Sequence, residues 1–151
     1  MKRIVINAKE CTGCRLCESV CAIHNDRIND PSRSRIRIAK KHILGLSTPN
    51  VCRQCKNPPC AKVCPVNAII KDDSGLVYID YDECIGCEDC VSACPFGVMM
   101  ALDDRVVKCE LCGGDPQCVK YCATRAIVFK EPEIALQQKR SEHMVKDLES
   151  V

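Results

Sequence analysis

Apolar residues in this chain come in short runs, separated by polar turns and cysteines. The runs at 3–6 and 126–129 lie near the two ends of the cysteine-containing region, and each is long enough for one short strand. We predict that these two strands pair. Polar turns separate two further pairs of runs, as is typical of β-hairpins. The predicted hairpins join residues 69–71 to 76–79 through Asp72-Asp73-Ser74-Gly75, and 98–102 to 106–108 through Asp103-Asp104.

Short helices are predicted at three places where a stretch of chain ends on a cysteine. These stretches are residues 59–64, 89–94 and 117–122.

No apolar run approaches the length of a membrane-spanning helix. The opening MKRIVINAKE has no extended apolar stretch and no small-residue cleavage site, so we expect no secretory signal.

Cysteine dominates the composition. The chain has 16 cysteines among 151 residues, no Trp, two Phe and three Tyr. That cysteine fraction is above the threshold that marks proteins organised by their cysteines. Without the cysteines, the chain has few apolar residues for a hydrophobic core. Without export, eight disulfides are improbable, and we expect a cytoplasmic protein whose sulfurs bind a cofactor. The net charge of +2 lacks the basic surplus typical of nucleic-acid binding.

The sixteen cysteines form four groups of four, and none is left over. Every group opens with C-x2-C and ends with C-x3-C, and only the middle gap varies, which makes an internal repeat. The groups are Cys11, Cys14, Cys17 and Cys21; Cys52, Cys55, Cys60 and Cys64; Cys84, Cys87, Cys90 and Cys94; and Cys109, Cys112, Cys118 and Cys122.

The spacing suits a 4Fe–4S cluster. Three close cysteines can wrap a loop around one face of the cluster, and the C-x3-C step carries the fourth sulfur about 6 Å along a helix, toward a second cluster. In two-cluster ferredoxins with C-x2-C-x2-C-x3-C-P, the fourth cysteine does ligate the other cluster. Pro65 and Pro95 follow groups two and three, whereas Ala22 and Ala123 follow groups one and four. We therefore pair the inner groups together and the outer groups together.

This pairing predicts four 4Fe–4S clusters, each with one ligand borrowed from the partner group. The predicted sets are Cys11, Cys14, Cys17 with Cys122; Cys109, Cys112, Cys118 with Cys21; Cys52, Cys55, Cys60 with Cys94; and Cys84, Cys87, Cys90 with Cys64. The fold is then α+β: two pseudo-symmetric, bacterial-ferredoxin-like dicluster halves, one inserted in the other. Residues 1–30 and 105–130 form the outer pair and 50–104 the inner pair, together a four-cluster domain over 1–130.

Zinc and disulfides are the competing interpretations of the same sulfurs. Structural zinc usually draws two CxxC pairs from separated knuckles, and three cysteines within CTGCRLC would crowd a tetrahedral ion. Disulfides conflict with the expected compartment. A 4Fe–4S core with four thiolates carries a net charge of about −2, so four would take the chain from +2 to about −6.

Two segments exceed what cluster binding needs. Within the gap 22–51, Arg33, Arg35 and Arg37 alternate with other residues, which predicts a strand with one basic face. That strand is either a partner-docking surface or a solvated edge strand. The tail 131–151 is predicted to be a helix that opens at Pro132 and either docks on a partner or frays.

Other polar residues give weaker signals. His24 either hydrogen-bonds a cluster sulfide or lies near an electron exit, or it is a structural or exposed histidine. Lys56, Lys62 and Lys108 either tune a cluster or are solvated. We find no catalytic set of Ser, His and Asp, no paired carboxylates and no nucleotide-binding glycine motif. The chain is predicted to be a non-catalytic electron-transfer protein.

The motifs CRQCKNPPCAKVCPVNAI and KCELCGGDPQCVKYC resemble those of multicluster ferredoxin-like subunits of molybdenum, tungsten and nickel–iron oxidoreductases. The stretch from Cys21 through His24 to PSRSRIRI is most similar to the small iron–sulfur subunit of aldehyde oxidoreductase-type tungsten enzymes, including tungsten-dependent benzoyl-CoA reductases. The resemblance covers about residues 1–130. Two features depart from the wider pattern: Ala123 in place of a proline, and the short x5 gap in group four.

The resemblance implies four 4Fe–4S clusters in a chain that serves a larger catalytic subunit with a tungsten or molybdenum pterin. A flavin subunit using NAD, or a ferredoxin, would be the second partner, and further copies of the chain are conceivable partners. The alternatives are a free-standing polyferredoxin, the electron-transfer subunit of a hydrogenase or formate dehydrogenase, and a cluster-assembly scaffold.

Overall fold

The computed structural model describes residues 1–41 and 45–132, which contain eight strands and four α-helices joined by loops and 3-10 turns. The strands are β1 (Arg3–Ile6), β2 (Ile36–Lys41), β3 (Leu46–Val51), β4 (Ile69–Lys71), β5 (Val77–Ile79), β6 (Met100–Leu102), β7 (Arg105–Val107) and β8 (Ile127–Lys130). The helices are α1 (Leu16–Asp26), α2 (Pro59–Lys62), α3 (Asp89–Ala93) and α4 (Gln117–Lys120).

The described strands form four antiparallel pairs. β1 pairs with β8, with Ile4 opposite Phe129, so the two ends of the cysteine-containing region meet. β4 pairs with β5 and β6 with β7 as hairpins. The strand pairings predicted for these segments are confirmed, with shifts of one or two residues at the ends.

The fourth pair, β2 with β3, departs from the sequence prediction. The predicted basic strand begins only at Ile36, because Pro31–Arg33 is a 3-10 turn in which Ser32 donates its N–H to the Asp30 carboxylate. Its partner β3 was not predicted, since Pro49 and the polar residues around it are unfavourable in a strand. In the structure Pro49 lies opposite Ile38.

The three predicted helices are confirmed, each somewhat shorter than predicted. The longest helix, α1, was not predicted. Its chain continues past Cys21 for another turn because Ala22 does not interrupt the backbone hydrogen bonds as a proline would. The helix ends at Asp26, and Arg27 caps it with a left-handed φ of 59°.

Two hydrophobic cores hold these elements together. One contains residues from both ends of the chain, including Ile4, Ile127 and four cysteines, and α1 packs against α4 there. The other contains Val77, Val106 and two cysteines, and α2 packs against α3 there. The chain therefore has a small mixed helix and strand fold with cysteines in both cores.

The predicted C-terminal helix lies almost entirely at 133–151, outside the described residues, as does His42. Within the residues that are described, no helix combines the length and apolar character that crossing a membrane requires.

Candidate metal centres

The four cysteine loops share one feature of backbone conformation. In each group the residue just before the second cysteine has a positive φ: Gly13 (70°), Gln54 (49°), Gly86 (69°) and Leu111 (56°). A positive φ is uncommon for residues other than glycine, and strained positions of this kind cluster at functional sites. Turns of this type present successive N–H groups to an anion or to an iron–sulfur group. The sequence repeat is thus also a repeat of local structure.

Position 86 also has no room for a side chain. A Cβ at this position would lie 2.9 Å from the Asp104 carbonyl oxygen, on the turn between β6 and β7. A side chain at Gly13 would similarly meet Ser47. Both glycines allow a cysteine loop to lie directly against a neighbouring hairpin.

Gln54 occupies the equivalent position in group two with a buried side chain. Its Nε2 donates to the Cys109 carbonyl oxygen at 2.8 Å, and its Oε1 accepts the Val77 N–H at 2.8 Å. These bonds hold a strained residue in place and tie the group-two loop to β5 and to group four.

A second repeated turn follows the last cysteine of three groups. Asn67, Gly97 and Arg125 have φ values of 55°, 57° and 55°, and each donates its N–H to the carbonyl of the cysteine three residues before it. Group four forms this turn although Ala123 replaces the proline. Only group one differs, because α1 continues through the corresponding residues.

The cysteines line four cavities of similar size, about 330 to 360 Å³ including space open to solvent. We name them sites A to D. Site A is lined by Cys11, Cys14, Cys17 and Cys122; site B by Cys21, Cys109, Cys112 and Cys118; site C by Cys52, Cys55, Cys60 and Cys94; and site D by Cys64, Cys84, Cys87 and Cys90. The structure brings together the four sets that the sequence predicts, and their role as cluster ligands stays a prediction.

The donor chemistry of each site fits a 4Fe–4S cluster, which is held by four cysteine thiolates. In residues 1–41 and 45–132, no three His, Cys, Asp or Glu side chains converge closely enough to hold a single metal ion. The thiols of each site instead stand around the walls of a cavity, beside a loop residue with a positive φ. This arrangement fits a group of several atoms with a negative charge.

Burial governs the protonation of these thiols. It raises the pKa of Cys17 to about 12, with the Glu18 carboxylate adding to the effect, and the pKa of Cys90 to about 11. It raises the pKa of Cys109 to about 12 and that of Cys118 as well. Removing a thiolate from water disfavours its charge. A metal that binds here therefore displaces protons from the thiols.

The sites follow one another in a definite order. Helix α1 carries both Cys17 of site A and Cys21 of site B. Gln54, which lies between Cys52 and Cys55 of site C, donates to the carbonyl of Cys109 in site B, and Cys60 of site C shares a core with Cys90 of site D. These contacts give the order A–B–C–D.

Cys21 receives hydrogen bonds that sequence reasoning missed. The Arg35 N–H donates to its Sγ at 3.3 Å, and Asn25 Nδ2 approaches the same sulfur at 3.6 Å while it donates to the Cys21 carbonyl at 2.7 Å. Asn25 lies one helical turn after Cys21, so the spacing in α1 could have indicated it. Arg35 reaches Cys21 only through the tertiary fold.

The predicted basic face on the strand is wrong. Arg35 is buried and pairs with Asp26, whose side chain is only 4% exposed. Arg33 lies 3.8 Å from the same carboxylate and also pairs with Asp103, while Arg105 approaches Asp26 at 3.5 Å. The hydrogen bond from Arg35 holds the pKa of Asp26 below its ordinary value. These arginines form an internal ion cluster, because Asp26 draws them onto the end of α1.

The remaining candidates separate by burial. His24 is exposed on α1. Lys56 and Lys62 are exposed, as solvated lysines would be, whereas Lys108 is buried.

Comparison with known proteins agrees with this geometry. Residues 44–132 match the family model described as a 4Fe-4S dicluster domain, a range that contains cysteine groups two, three and four. The putative electron transport protein YsaA of Escherichia coli is 38% identical over 144 residues, which cover 86% of this chain and 90% of that protein. The polyferredoxin-like subunit of aliphatic sulfonate oxidoreductase from Pyrococcus furiosus is 42% identical over 122 residues, covering 79% and 70%.

Among solved structures, a chain of the BamBC active-site complex of benzoyl coenzyme A reductase, bound to benzoyl-CoA, has a similar fold. The TM-score is 0.50 at 23% sequence identity, and the match covers 100% of this chain and 98% of that one. At this identity the likeness concerns the fold alone. Given its cysteine framework, the family model and these relatives, the chain belongs to the 4Fe-4S dicluster family of ferredoxin-like electron-transport proteins.

Proposed function

We propose that the chain is a non-catalytic electron-transfer subunit that holds four 4Fe–4S clusters in sites A to D. The observation that carries this proposal is the set of four similar cavities, each lined by four cysteines. Contacts between the cysteine groups place each cavity next to another in one order. A 4Fe–4S cluster, when bound, accepts and releases single electrons at a potential that its surroundings set. The crossed ligand sets given above are part of the proposal.

The protein itself would hold each cluster, shield it from water and fix its position. Three cysteines of each site come from one loop and the fourth from the partner group, so a site forms only when its two groups pack together. Buried ligands such as Cys17 and Cys118 exclude water from sites A and B. We infer two pseudo-symmetric dicluster halves, the outer from 1–30 and 105–130 and the inner from 50–104, because each half has its own core.

Sites A and D form the two ends of the order, and both reach the surface. Cys14 in site A and Cys87 in site D are exposed, whereas every cysteine of sites B and C is buried or partly buried. Exposed apolar side chains line these end sites: Tyr121 (56% exposed) at site A and Ile85 (64%) at site D. Electrons therefore enter at one end and leave at the other, each end docking a separate partner.

We propose that one partner is a larger catalytic subunit with a tungsten or molybdenum pterin, of the aldehyde oxidoreductase type. The other is a flavin subunit using NAD, or a ferredoxin. The resemblance of the Cys21 to PSRSRIRI stretch supports this choice, and the Pyrococcus relative is itself named as a subunit of an oxidoreductase. Because sixteen thiols must stay reduced, we place the protein in the cytoplasm.

Anaerobic purification of the native complex tests this function. The expected result is about sixteen iron atoms per chain, four for each of four clusters, together with tungsten or molybdenum in a larger companion protein. Electron paramagnetic resonance of the reduced protein should show interacting clusters. Zinc in place of iron would contradict the proposal, and a chain isolated without a companion would indicate a free-standing polyferredoxin.

A further inference from the structure

Lys108 is a buried cation between two of the proposed cluster sites. It directly follows β7, and its side chain is 3% exposed. Its Nζ donates to the carbonyl oxygens of Val77 and Cys109, the latter at 3.0 Å. Lys108 also lines site C beside Cys52 and Cys94, while Cys109 itself lines site B. One ammonium group is thus placed at the contact between the outer and inner halves.

Among the described residues, the ammonium has no carboxylate partner. Within the part of the chain that the structure describes, no Asp or Glu oxygen lies within ion-pairing distance of Lys108 Nζ. Burying an ammonium group without an opposite charge is costly. A cofactor with a net negative charge in the adjacent sites would supply that opposite charge.

Lys108 lies against both neighbouring sites. Its side chain lines site C with Cys52, Cys60 and Cys94, and its ammonium group donates to the backbone carbonyl of Cys109 in site B. A positive charge at this position favours negative charge in both sites.

The surroundings fix Lys108 in position. Gln54 bonds the same two residues, because it donates to the Cys109 carbonyl and accepts the Val77 N–H. Gln54 and Lys108 together connect the group-two loop, β5 and the start of group four. The ammonium is thereby held at the B–C contact rather than free to turn into solvent.

We infer that Lys108 is the positive charge that balances negative clusters at sites B and C, and that it raises the reduction potentials of both sites. It thereby sets the potentials at the step where electrons cross between the outer and inner halves. The inference rests on the proposed function. A cluster held at site B or C would gain one negative charge when it accepts an electron from a neighbouring site, and Lys108 would lie beside that added charge. A fixed positive charge in a poorly solvated region stabilises this reduced state, because screening there is weak.

Three substitutions test the inference: Lys108→Met and Lys108→Gln remove the charge, and Lys108→Arg keeps it. Each anaerobic protein is titrated with redox mediators and followed by electron paramagnetic resonance. We expect the ratio of reduced to oxidised cluster at sites B and C to fall at least tenfold at fixed potential in the Met and Gln variants. For a one-electron couple this is a shift of about 59 mV to more negative potential.

Lys71→Met is the matched control. Lys71 Nζ also donates to a backbone carbonyl, that of Lys56 at 2.6 Å, but on the exposed surface. We expect its titration to match that of the unmodified protein. The variants Cys112→Ser and Cys55→Ser assign the signals of sites B and C, since each alters one site.

Unchanged potentials in Lys108→Met, with four clusters intact, would overturn the inference and leave the proposed function standing. Absence of 4Fe–4S clusters from the unmodified protein would overturn the proposed function itself. If the Met and Gln variants lose iron while the Arg variant keeps it, cluster binding requires the positive charge, which supports Lys108 as the countercharge. Loss of iron from all three variants would overturn it, because charge would not be the property that matters.

Discussion

At the scale of single residues, the position just before the second cysteine of each group has a left-handed backbone conformation in all four groups, but with different side chains. Gly13 and Gly86 adopt the left-handed conformation without a side chain, whereas Gln54 and Leu111 adopt it with buried side chains. The glycines in CTGC and CIGC could have been predicted from sequence, since glycine favours this conformation. The strained Gln54 could not, because the bonds that hold it come from Val77 and Cys109, far away in sequence.

Gly86→Ala tests the close approach at site D. The added methyl meets the Asp104 carbonyl oxygen and must also adopt a φ of 69°. We expect a cost of about 2 kcal/mol or more in the free energy of unfolding, and faster loss of iron from site D, which Gly86 lines. Chemical denaturation and iron release under anaerobic conditions measure these effects.

Gly97→Ala is the control for this substitution. Its φ is 57°, but a Cβ there would meet no atom within 4 Å. It should therefore show only the backbone cost, about 1 kcal/mol. Equal destabilisation by the two substitutions would contradict a role for the contact with Asp104.

At the scale of secondary structure, prolines and hairpin turns explain most of what sequence could predict. Pro65 and Pro95 follow the cysteines that end groups two and three, and the polar turns between short apolar runs mark the two inner hairpins. The helix α1 and the β2–β3 hairpin were missed. Their stability depends on tertiary contacts, such as the Glu18 carboxylate that accepts the Ile38 N–H at 2.6 Å. Local propensity does not record such contacts.

Asp26→Asn tests the ion cluster that joins α1 to the segment before β2. The substitution leaves the buried Arg35 without its carboxylate, and loss of one member of a buried pair is strongly destabilising. We expect a loss of about 3 kcal/mol in the free energy of unfolding. Asp103→Asn serves as the control, since Asp103 is 68% exposed and its pair with Arg33 should contribute little.

The same pair predicts a dependence on pH. Because the folded protein lowers the pKa of Asp26, its contribution is fully present above the unfolded pKa of about 4 and is lost as pH falls through the lower folded value. The stability difference between the native protein and Asp26→Asn should therefore shrink below about pH 4. A constant difference down to strong acid would contradict this account.

At the scale of the whole molecule, the cysteines join the two cores to the proposed cofactors. Cys17, Cys21, Cys109 and Cys118 are buried members of one core, and Cys60 and Cys90 of the other. If these sulfurs hold clusters, the cofactors also complete the cores. Folding and metal binding are then one process, as in other small metal-dependent domains.

Iron removal should therefore unfold the chain. We expect an anaerobic chelator to abolish the protection of β1, β5 and β8 amides from hydrogen exchange, because these strands pack beside cysteine ligands. Exchange before and after chelation, with reconstitution by iron and sulfide as the reverse experiment, measures this. Retained protection in an iron-free chain would show that the apolar core is sufficient alone.

The proposed docking of a partner at site D would involve the exposed side chain of Ile85. Ile85→Ser removes an exposed apolar side chain beside Cys84 without adding charge. We expect weaker binding of the partner at this end, by roughly tenfold or more if the side chain is buried in the interface. Affinity for the purified partner measures this, and Ile28→Ser, which changes another exposed isoleucine, is the control. Equal effects of the two substitutions would argue against docking at site D.

The sequence by itself determined the four cysteine groups and the short strands around them, and it predicted that the two outer groups pair with each other and the two inner groups with each other. Each of these follows from spacing and from residues next to the cysteines. Only the tertiary structure decided which charged side chains are buried and which residues surround them. It drew Arg33 and Arg35 onto Asp26 instead of leaving a basic surface, and it buried Lys108 between sites B and C while Lys56 and Lys62 stayed exposed. Sequence spacing records neighbours along the chain, whereas burial and electrostatic environment arise from segments that folding brings together.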